Sequence, residues 1–320
     1  MRQRRVEPST AKQDGYRIEK YLIPQWGDVR LNRIRRADIQ EWVNELLDED
    51  GDYALSPSTV DRIFRLLSAS MKTAVLGNKI PGNPCFGVKI AAAVPGHERY
   101  LTRAEFDLIA HHLNEPYRTM AILLVGTGMR FGEMAGLHRS RVDFGNGFIT
   151  VAETWDGTAQ RIKATTKSGK TRRVPIPSWV QDALIARPRT LAPTCGLPHA
   201  KGGVRCTSPL VMLSPTGKPL DVTQVGRLQW RQAVELSGVG HVRMHDLRHT
   251  YASWLRQDGA DIEHVQELLG HATILTTQRY SHFGPERFET ARRILDGKAS
   301  AAGAPIPPHD LENGETTRSA

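Results

Sequence analysis

Four segments of this 320-residue chain carry cationic and nucleophilic side chains that are unusual choices for a helical core. Together they supply two arginines, a lysine, two histidines and a tyrosine: Arg130, Arg248, Lys167, His245, His271 and Tyr280. Arginines hold phosphate oxygens through paired hydrogen bonds, and a tyrosine hydroxyl can attack phosphorus while an acid protonates the departing alcohol. The set predicts phosphoryl transfer that needs neither a metal ion nor a cofactor.

The local surroundings of three of these residues favour an anion. Arg130 follows the glycine-rich segment 126–128, which can hold a long cationic side chain rigidly, and Glu133 lies where it can orient Arg130. His245 and Arg248 are three residues apart at a predicted helix start, so they project together near the positive end of the helix dipole. Both segments are therefore candidates for binding a phosphate group.

Lys167 lies in a predicted basic hairpin turn, residues 166–170. The stretch from Arg161 to Arg173 holds six basic residues and no acidic one. Neighbouring cations can lower the pKa of a lysine until it donates a proton to a leaving group. Lys163 and Lys170 are nearby alternatives for this role.

His271 and Tyr280 lie near the end of the predicted helical region. Gly270 is expected to end one helix and Thr273 to cap the next, and Tyr280 follows His271 by nine residues. Tyrosines are common in protein cores, so Tyr280 gains its meaning as a nucleophile only from the rest of the set.

The first 90 residues are predicted to form short helices that build a small helical domain. The expected helices run from Ser9 to about Ile23, over Ala37–Leu47, and from Ser56 to about Leu76. Pro24 and Gly27 should end the first of them. Residues 91–99 are predicted to be a linker.

Residues 100–296 are predicted to form a second, larger domain of the α+β class, mainly helical with a small antiparallel sheet. Thr102 and Glu105 have the spacing of a capping box. The sheet is expected from three alternating segments, Phe148–Glu153, Gln160–Thr165 and Thr171–Ile176. Helices are expected over Tyr117–Val125, Trp179–Ala186, Val222–Leu236, His245–Gln257, Ile262–Leu269, Thr273–Ser281 and Pro285–Leu295. Residues 297–320 are predicted to be a disordered tail.

The composition is that of an ordinary globular protein with a basic excess. The formal net charge is +9 at a sequence pI near 9.6, which favours a polyanionic partner. No run of about 18 apolar residues occurs, and no apolar signal core follows the basic N-terminus, so we expect a cytoplasmic, nucleoid-associated protein without a membrane partner.

Three cysteines are too few for a disulfide framework. Two of them, Cys195 and Cys206, lie with His199 in a loop, Leu191–Ser208, that is longer than the other motifs require. These three residues lack a fourth ligand and the CxxC spacing of common zinc sites, so the sequence predicts no metal site.

Residues 9–296 resemble the tyrosine recombinases, also called the phage integrase family. The segment TGMRFGE matches the first arginine box, with Arg130 as the first clamp arginine and Glu133 as its acidic support. HDLRHT then supplies His245 and Arg248, and LLGHAT supplies His271. QRYSH supplies Tyr280 as the nucleophile, and TKSGKTRRVPIP supplies Lys167 as the general acid.

The resemblance implies a site-specific integrase with a helical core-binding domain and a catalytic domain. Tyr280 would attack a DNA phosphodiester and leave a 3′-phosphotyrosine and a free 5′ hydroxyl, with no cofactor. Four protomers on double-stranded attachment sites would complete the exchange through a Holliday junction. An excision or directionality factor and a DNA-bending protein are further partners known for such enzymes.

The chain departs from the family pattern at its N-terminus, where only eight residues precede Ser9. We therefore expect a shortened core-binding domain and no arm-binding domain. Three other functions stay open: a DNA-binding remnant or regulator that does not cut DNA, a chromosome or plasmid resolvase of the same family, and a type IB topoisomerase.

Overall fold

The structure is a computed structural model that describes residues 7–92, 99–164, 171–187, 192, 194–200, 206 and 208–283. Several predictions fall outside these residues. They are Lys167, predicted as the general acid, with its predicted turn, most of the predicted linker, the predicted helix Pro285–Leu295 and the predicted tail 297–320. By contacts the chain divides into two compact units. One comprises the residues up to Glu98 and the turn Asp156–Arg161; the other comprises Arg99–Trp155 and the residues from Ile162 onward.

The first unit is helical, as the sequence predicts. Helix α1 (Pro8–Arg17) continues through a π-helical stretch, Ile18–Leu22, into α2 (Ile23–Trp26); a short 3-10 turn, Leu31–Arg33, precedes α3 (Arg36–Leu47) and α4 (Pro57–Leu76). The predicted apolar stripes form the core, where Ile39, Val43 and Ile63 are fully buried. Gly77 ends α4 as expected.

The prediction that Pro24 ends the first helix is wrong. Helical structure passes Pro24 and stops at Gly27. The reason is local: the π-helical stretch shifts the hydrogen-bond pattern just before the proline. Pro24 then lies in the first turn of α2, where the missing N–H costs little.

The second unit begins with α5 (Arg103–His111), α6 (Tyr117–Thr127) and α7 (Phe131–Ala135). The capping box at the start of α5 is confirmed, because Thr102 accepts a hydrogen bond from the Glu105 backbone and Glu105 accepts one from that of Thr102. A 3-10 turn, Arg139–Arg141, leads into the strands.

Within the described residues five short strands follow: β1 (Val142–Asp143), β2 (Phe148–Val151), β3 (Thr154–Asp156), β4 (Arg161–Lys163) and β5 (Arg172–Pro175). The antiparallel sheet is confirmed, but its pairing differs from a simple three-strand meander. Among the described residues β2 pairs with β1 and β5, with Val151 opposite Arg172, while β3 and β4 form a separate hairpin. The sequence did not indicate the short strands β1 and β3.

The remaining helices are α8 (Ser178–Ile185), α9 (Val222–Gln224), which continues through the π-helical stretch Val225–Trp230 into α10 (Arg231–Ser237), then α11 (Asp246–Gln257) and α12 (Ile262–Leu269). The segment predicted as a helix over Thr273–Ser281 instead forms two 3-10 turns, Ile274–Thr276 and Gln278–Phe283. No helix in the described part of the chain combines the length and apolar character needed to cross a membrane.

Helix α11 is central to the second unit. Every residue from Asp246 to Trp254 is buried, so the helix has no solvent face over its first turns. Its apolar residue Leu247 belongs to the main core, whereas Arg248 and His249 carry polar groups into the interior. Buried polar groups need partners, and the partners of these two residues define the site.

Candidate active site

Five of the predicted residues come together around one cleft of about 460 Å³, formed at the start of α11 and by the segment after α12. They are Arg130, His245, Arg248, His271 and Tyr280. Glu133 lies behind Arg130 and contacts it directly. Lys167, the predicted acid, belongs to the residues that the structure does not describe.

A buried carboxylate holds two arginines at one side of this cleft. Oε1 of Glu133 accepts a hydrogen bond from Arg130 Nη1 at 2.9 Å, and Oε2 accepts one from Arg172 Nη2 at 2.7 Å. Burial alone would raise the pKa of Glu133, but the hydrogen bonds from Arg172 and then Arg130 outweigh it and lower the pKa. Glu133 therefore stays ionised and fixes the direction of Arg130.

Arg248 is held by backbone carbonyls rather than by a carboxylate. Its guanidinium donates to the carbonyl oxygens of Gly128 and Leu269, both at 2.6 Å. Burial, and then the charge of Arg130, lower its pKa to about 9, so the group is still charged at neutral pH. Arg130 and Arg248 both face the cleft, and among the described residues only Arg130 of the two is paired with a carboxylate, that of Glu133. The cleft therefore has an excess of positive charge that favours binding of an anion.

The backbone at Gly128 requires glycine for two reasons. Its φ of +61° is in the left-handed region, and a Cβ there would approach the Tyr251 ring to 2.3 Å. This close approach lets α6 end against α11, so that the carbonyl of Gly128 reaches Arg248. The glycine-rich segment noted in the sequence thus positions the second arginine as well as the first.

The two predicted histidines are neutral at pH 7. The pKa of His245 is lowered to about 4, first by desolvation of its ring in the cleft, although the residue keeps an exposed edge, and then by the neighbouring His249 and the charge of Arg248. Burial and then Arg248 lower the pKa of His271 to about 3. His271 Nδ1 lies 2.9 Å from the hydroxyl of the buried Thr277, which fixes the ring. Neutral imidazoles can donate a hydrogen bond to a phosphate oxygen and hold a proton in transit.

Tyr280 is only 1% exposed and packs with the side chains of α11 and α12. Its hydroxyl lies 2.6 Å from Nδ1 of His249, and its ring contacts that of Tyr100 edge-on. The hydroxyl is therefore held at the cleft beside an imidazole nitrogen, while the ring is fixed by packing. In the tautomer with its proton on Nε2, His249 can accept a hydrogen bond from this hydroxyl.

Sequence reasoning missed two functional candidates, His249 and Arg172. His249 is four residues after His245, a spacing that brings the two rings to 5.0 Å on one face of α11. Arg172 alternates with the buried Val174 along β5, so strand periodicity indicates an inward direction for its side chain. Both signals are present in the sequence.

The arrangement can bind a phosphodiester and carry a transesterification. The arginines supply charge for the non-bridging oxygens and for the charge that grows in the transition state. The tyrosine can supply a nucleophile, and the neutral histidines can supply hydrogen bonds.

Comparisons with known proteins agree with this chemistry. A model described as "Phage integrase family" matches residues 99–287, and one described as "Phage integrase, N-terminal SAM-like domain" matches residues 1–47. The tyrosine recombinase XerC of Pediococcus pentosaceus is 25% identical over 284 residues, which is 86% of this chain and 87% of that protein. The XerC of Bacillus pumilus is 35% identical over 168 residues, which is 52% of this chain and 49% of its own length.

Solved structures share the fold. The Tn1549 transposon integrase in complex with a circular intermediate DNA aligns with a TM-score of 0.73 at 20% identity, over 92% of this chain and 95% of that one. A lambda integrase dimer bound to a COC′ core site aligns with a TM-score of 0.65 at 20% identity, over 85% and 91% of the two chains. The chain belongs to the phage integrase family, the tyrosine recombinases, which cut and rejoin DNA through a phosphotyrosine intermediate.

Proposed function

We propose that this chain is the integrase of a phage or other mobile element, and that Tyr280 is its nucleophile. One observation carries the assignment of the site: Tyr280, Arg130, Arg248, His245 and His271 line the same cleft. These residues come from separate parts of the second unit. Their convergence on one cleft is expected of a catalytic centre and is not required for packing.

In the proposed cleavage step, the oxygen of Tyr280 forms a bond to phosphorus as the bond from phosphorus to the 5′ oxygen breaks. The phenolic proton passes to His249, whose Nδ1 is 2.6 Å away. Lys167 is the proposed donor of the proton that the departing 5′ oxygen takes up. Arg130 and Arg248 hold the non-bridging oxygens, with Glu133 orienting Arg130. Rejoining is the reverse step with a 5′ hydroxyl of the partner strand.

The proposed partners are double-stranded attachment sites and further copies of the chain. Residues 1–90 would act as the core-binding domain and residues 100–296 as the catalytic domain, joined by the linker 91–99. A tetramer on DNA, an excision factor and a DNA-bending protein are expected for an integrase of this kind. The net charge of +9 supports a polyanionic partner, met in the cytoplasm on nucleoid DNA.

The test is trapping of the covalent intermediate. A DNA site selected by binding to the full chain is synthesised with a nick next to the cleavage position, so that the short fragment with the free 5′ hydroxyl diffuses away and religation is prevented. The chain should form a DNA adduct that survives denaturing electrophoresis, and Tyr280→Phe should form none. Tyr251→Phe is the matched control, since Tyr251 packs beside Tyr280. An adduct from Tyr280→Phe would refute the nucleophile; no adduct from the intact chain would favour a DNA-binding remnant or regulator.

A resolvase is the second candidate, because XerC recombinases match the sequence over most of its length. Sequencing of the DNA attached to Tyr280 in cells separates the two roles. Adducts at the ends of an integrated element support an integrase, and adducts at one chromosomal site outside any element support a resolvase. Relaxation of supercoiled DNA without sequence preference would instead point to a topoisomerase.

A further inference from the structure

Two cysteines and two histidines, side chains of the types that bind metal ions, lie together in the second unit, apart from the residues that line the catalytic cleft. Cys195, His199 and Cys206 come from the loop Leu191–Ser208, and His138 comes from the segment before β1. One ligand atom of each residue lies within 4.8 Å of the corresponding atoms of the other three. The sequence alone offered three of these ligands; folding supplies the fourth.

Three of the six separations within the cluster are near the edges of a tetrahedral zinc site. The Sγ atoms of Cys195 and Cys206 are 3.3 Å apart, Cys195 Sγ is 3.3 Å from His199 Nε2, and Cys206 Sγ is 3.6 Å from His138 Nε2. Zinc with ordinary bonds to sulfur and nitrogen sets such edges at about 3.3–3.8 Å, with the sulfur–sulfur edge the longest. All six separations are within 4.8 Å, so small side-chain shifts would bring the four atoms to the separations that one ion requires.

A buried carboxylate orients the fourth ligand. Oε2 of Glu153 lies 2.6 Å from Nδ1 of His138, and Glu153 is also bonded to Arg141 at 3.2 Å. When Nδ1–H donates a hydrogen bond to Glu153, the lone pair of Nε2 is directed towards Cys206. Histidine ligands in zinc sites usually have such a carboxylate partner, which fixes their tautomer and raises their basicity.

Backbone hydrogen bonds hold both sides of the loop against the unit. The backbone of Ile162 in β4 donates to Pro198 and accepts from Ala200, each at 2.8 Å, on either side of His199. The backbone of Val211 donates to Leu137 at 2.8 Å, and that of Arg139 donates to Pro209 at 2.9 Å, on either side of His138. Two ligands are thus positioned by main-chain contacts that do not depend on an ion.

We propose that His138, Cys195, His199 and Cys206 bind one zinc ion that fastens residues 194–200 and Cys206 to the rest of the second unit. Four protein ligands fill a tetrahedral site, so the ion is structural and has no open position for a substrate. Binding releases the two thiol protons, and the two thiolates balance the charge of the ion. Two thiolates and two imidazoles are a donor set that suits zinc better than the harder cations magnesium and calcium.

The proposed ion also supports the sheet next to the catalytic cleft. Glu153 lies two residues beyond Val151, the β2 residue that is opposite Arg172 in β5. Arg172 in turn pairs with Glu133, which orients Arg130. We expect loss of the ion to lower the stability of the whole unit, whereas the arginines and Tyr280 keep their own partners in the folded protein.

The test uses the full chain purified without chelators or added metal. Elemental analysis should find one zinc per chain in the wild type and less than one tenth of that in Cys195→Ser, Cys206→Ser and His199→Asn. Cys85→Ala is the matched control, because it removes the third cysteine, which lies in the core of the other unit. It should keep one zinc per chain.

A second measurement covers variants that fold poorly. The intact chain is stripped with a chelator under reducing conditions and titrated with Co(II). We expect intense visible bands of a tetrahedral thiolate complex at one equivalent, displaced by Zn(II), and a melting temperature that Zn(II) restores and Mg(II) does not. X-ray absorption of the zinc form should give two sulfurs at about 2.3 Å and two nitrogens at about 2.0–2.1 Å.

Three results would overturn the proposal. They are a purified chain with no zinc that also gives no cobalt bands, zinc content that is unchanged in all three ligand variants, and a Cys195–Cys206 disulfide in chain purified from a reducing cytoplasm.

Discussion

The hydroxyl of Tyr280 lies 2.6 Å from Nδ1 of His249. Surrounding side chains pack around the tyrosine and leave it only 1% exposed. A phenol with an ordinary pKa near 10 is a weak nucleophile at neutral pH. A neighbouring imidazole that accepts the proton during attack removes this disadvantage. The pair is therefore expected to act as a unit in the proposed cleavage.

Replacement of His249 should slow cleavage without loss of DNA binding. We expect His249→Leu to lower the single-turnover cleavage rate about 100-fold, and His249→Gln to recover little of the loss, because its amide oxygen can accept a hydrogen bond from Tyr280 but cannot take up the proton. The measurement is adduct formation on the nicked site. His241→Gln, an exposed histidine outside the cleft, is the control. Wild-type rates in His249→Leu would remove His249 from the mechanism.

The carboxylate of Glu133 is shared by Arg130 and the buried Arg172, so its removal should cost both stability and activity. We expect Glu133→Gln to lower the free energy of unfolding by about 3–5 kcal/mol, because Arg172 is left as a buried charge without its partner. Urea denaturation measures this loss.

The double variant Glu133→Leu with Arg172→Met separates the two effects. Since no buried charge then lacks a partner, it should be more stable than Glu133→Gln, and cleavage should stay low because Arg130 has lost its orientation. A double variant that is less stable than Glu133→Gln would contradict the role of Glu133 as the partner of a buried charge. A double variant that cleaves DNA at the wild-type rate would contradict its role in orienting Arg130.

The sequence predicted the elements that follow local rules and missed those that depend on distant contacts. The capping box at Thr102 and the bounds of α12 came from local patterns and are confirmed. Pro24 failed as a helix end because a π-helical stretch before it changed the hydrogen bonding. The segment predicted as a helix after Thr273 forms two 3-10 turns instead, and the hydroxyl of Thr277 is within hydrogen-bond distance of His271.

The same contrast holds for the sites. The cleft residues were found because their motifs have a known order, whereas the roles of His249 and Arg172 required helix and strand periodicity to be applied to polar residues. His138 could not be assigned from the sequence, because it joins the cysteine loop through pairing of its own backbone segment with Leu210. Long-range pairing of this kind leaves no local pattern.

Arg248 should not tolerate lysine. Two N–H groups of its guanidinium donate to the carbonyls of Gly128 and Leu269, and the guanidinium has further N–H groups that can donate to a phosphate. An ammonium group cannot reach both carbonyls and a phosphate oxygen. We expect Arg248→Lys to lower the cleavage rate by about two to three orders of magnitude, with a smaller loss of DNA affinity. Equal losses in adduct formation and in binding would make Arg248 a docking residue.

DNA binding should depend steeply on salt. Each phosphate that the chain neutralises should contribute about −0.9 to the slope of log affinity against log salt concentration. Arg130→Ala should reduce the magnitude of the slope by about one unit, since Arg130 faces the cleft with part of its side chain exposed. Fluorescence anisotropy over a range of salt concentrations measures both. An affinity that does not change with salt would contradict the proposed phosphate contacts.

Protonation of His271 should destabilise the fold as the pH falls. Burial and then the charge of Arg248 lower its pKa to about 3 in the folded chain, against about 6.5 when unfolded. Between these values the unfolded chain binds a proton that the folded chain does not. The free energy of unfolding is therefore at its full value above about pH 6.5 and decreases as the pH falls below it. His271 can contribute at most about 1.4 kcal/mol per pH unit.

Urea denaturation of the full chain at about pH 7 and about pH 5.5 tests this slope. His271→Gln cannot take up the proton, so its stability should fall less between the two conditions than that of the wild type. His264→Gln is the control, because His264 is exposed on α12 and should leave the slope unchanged. A His271→Gln variant with the wild-type slope would assign the pH dependence to other groups, of which His245, with its pKa lowered to about 4, is the next to test.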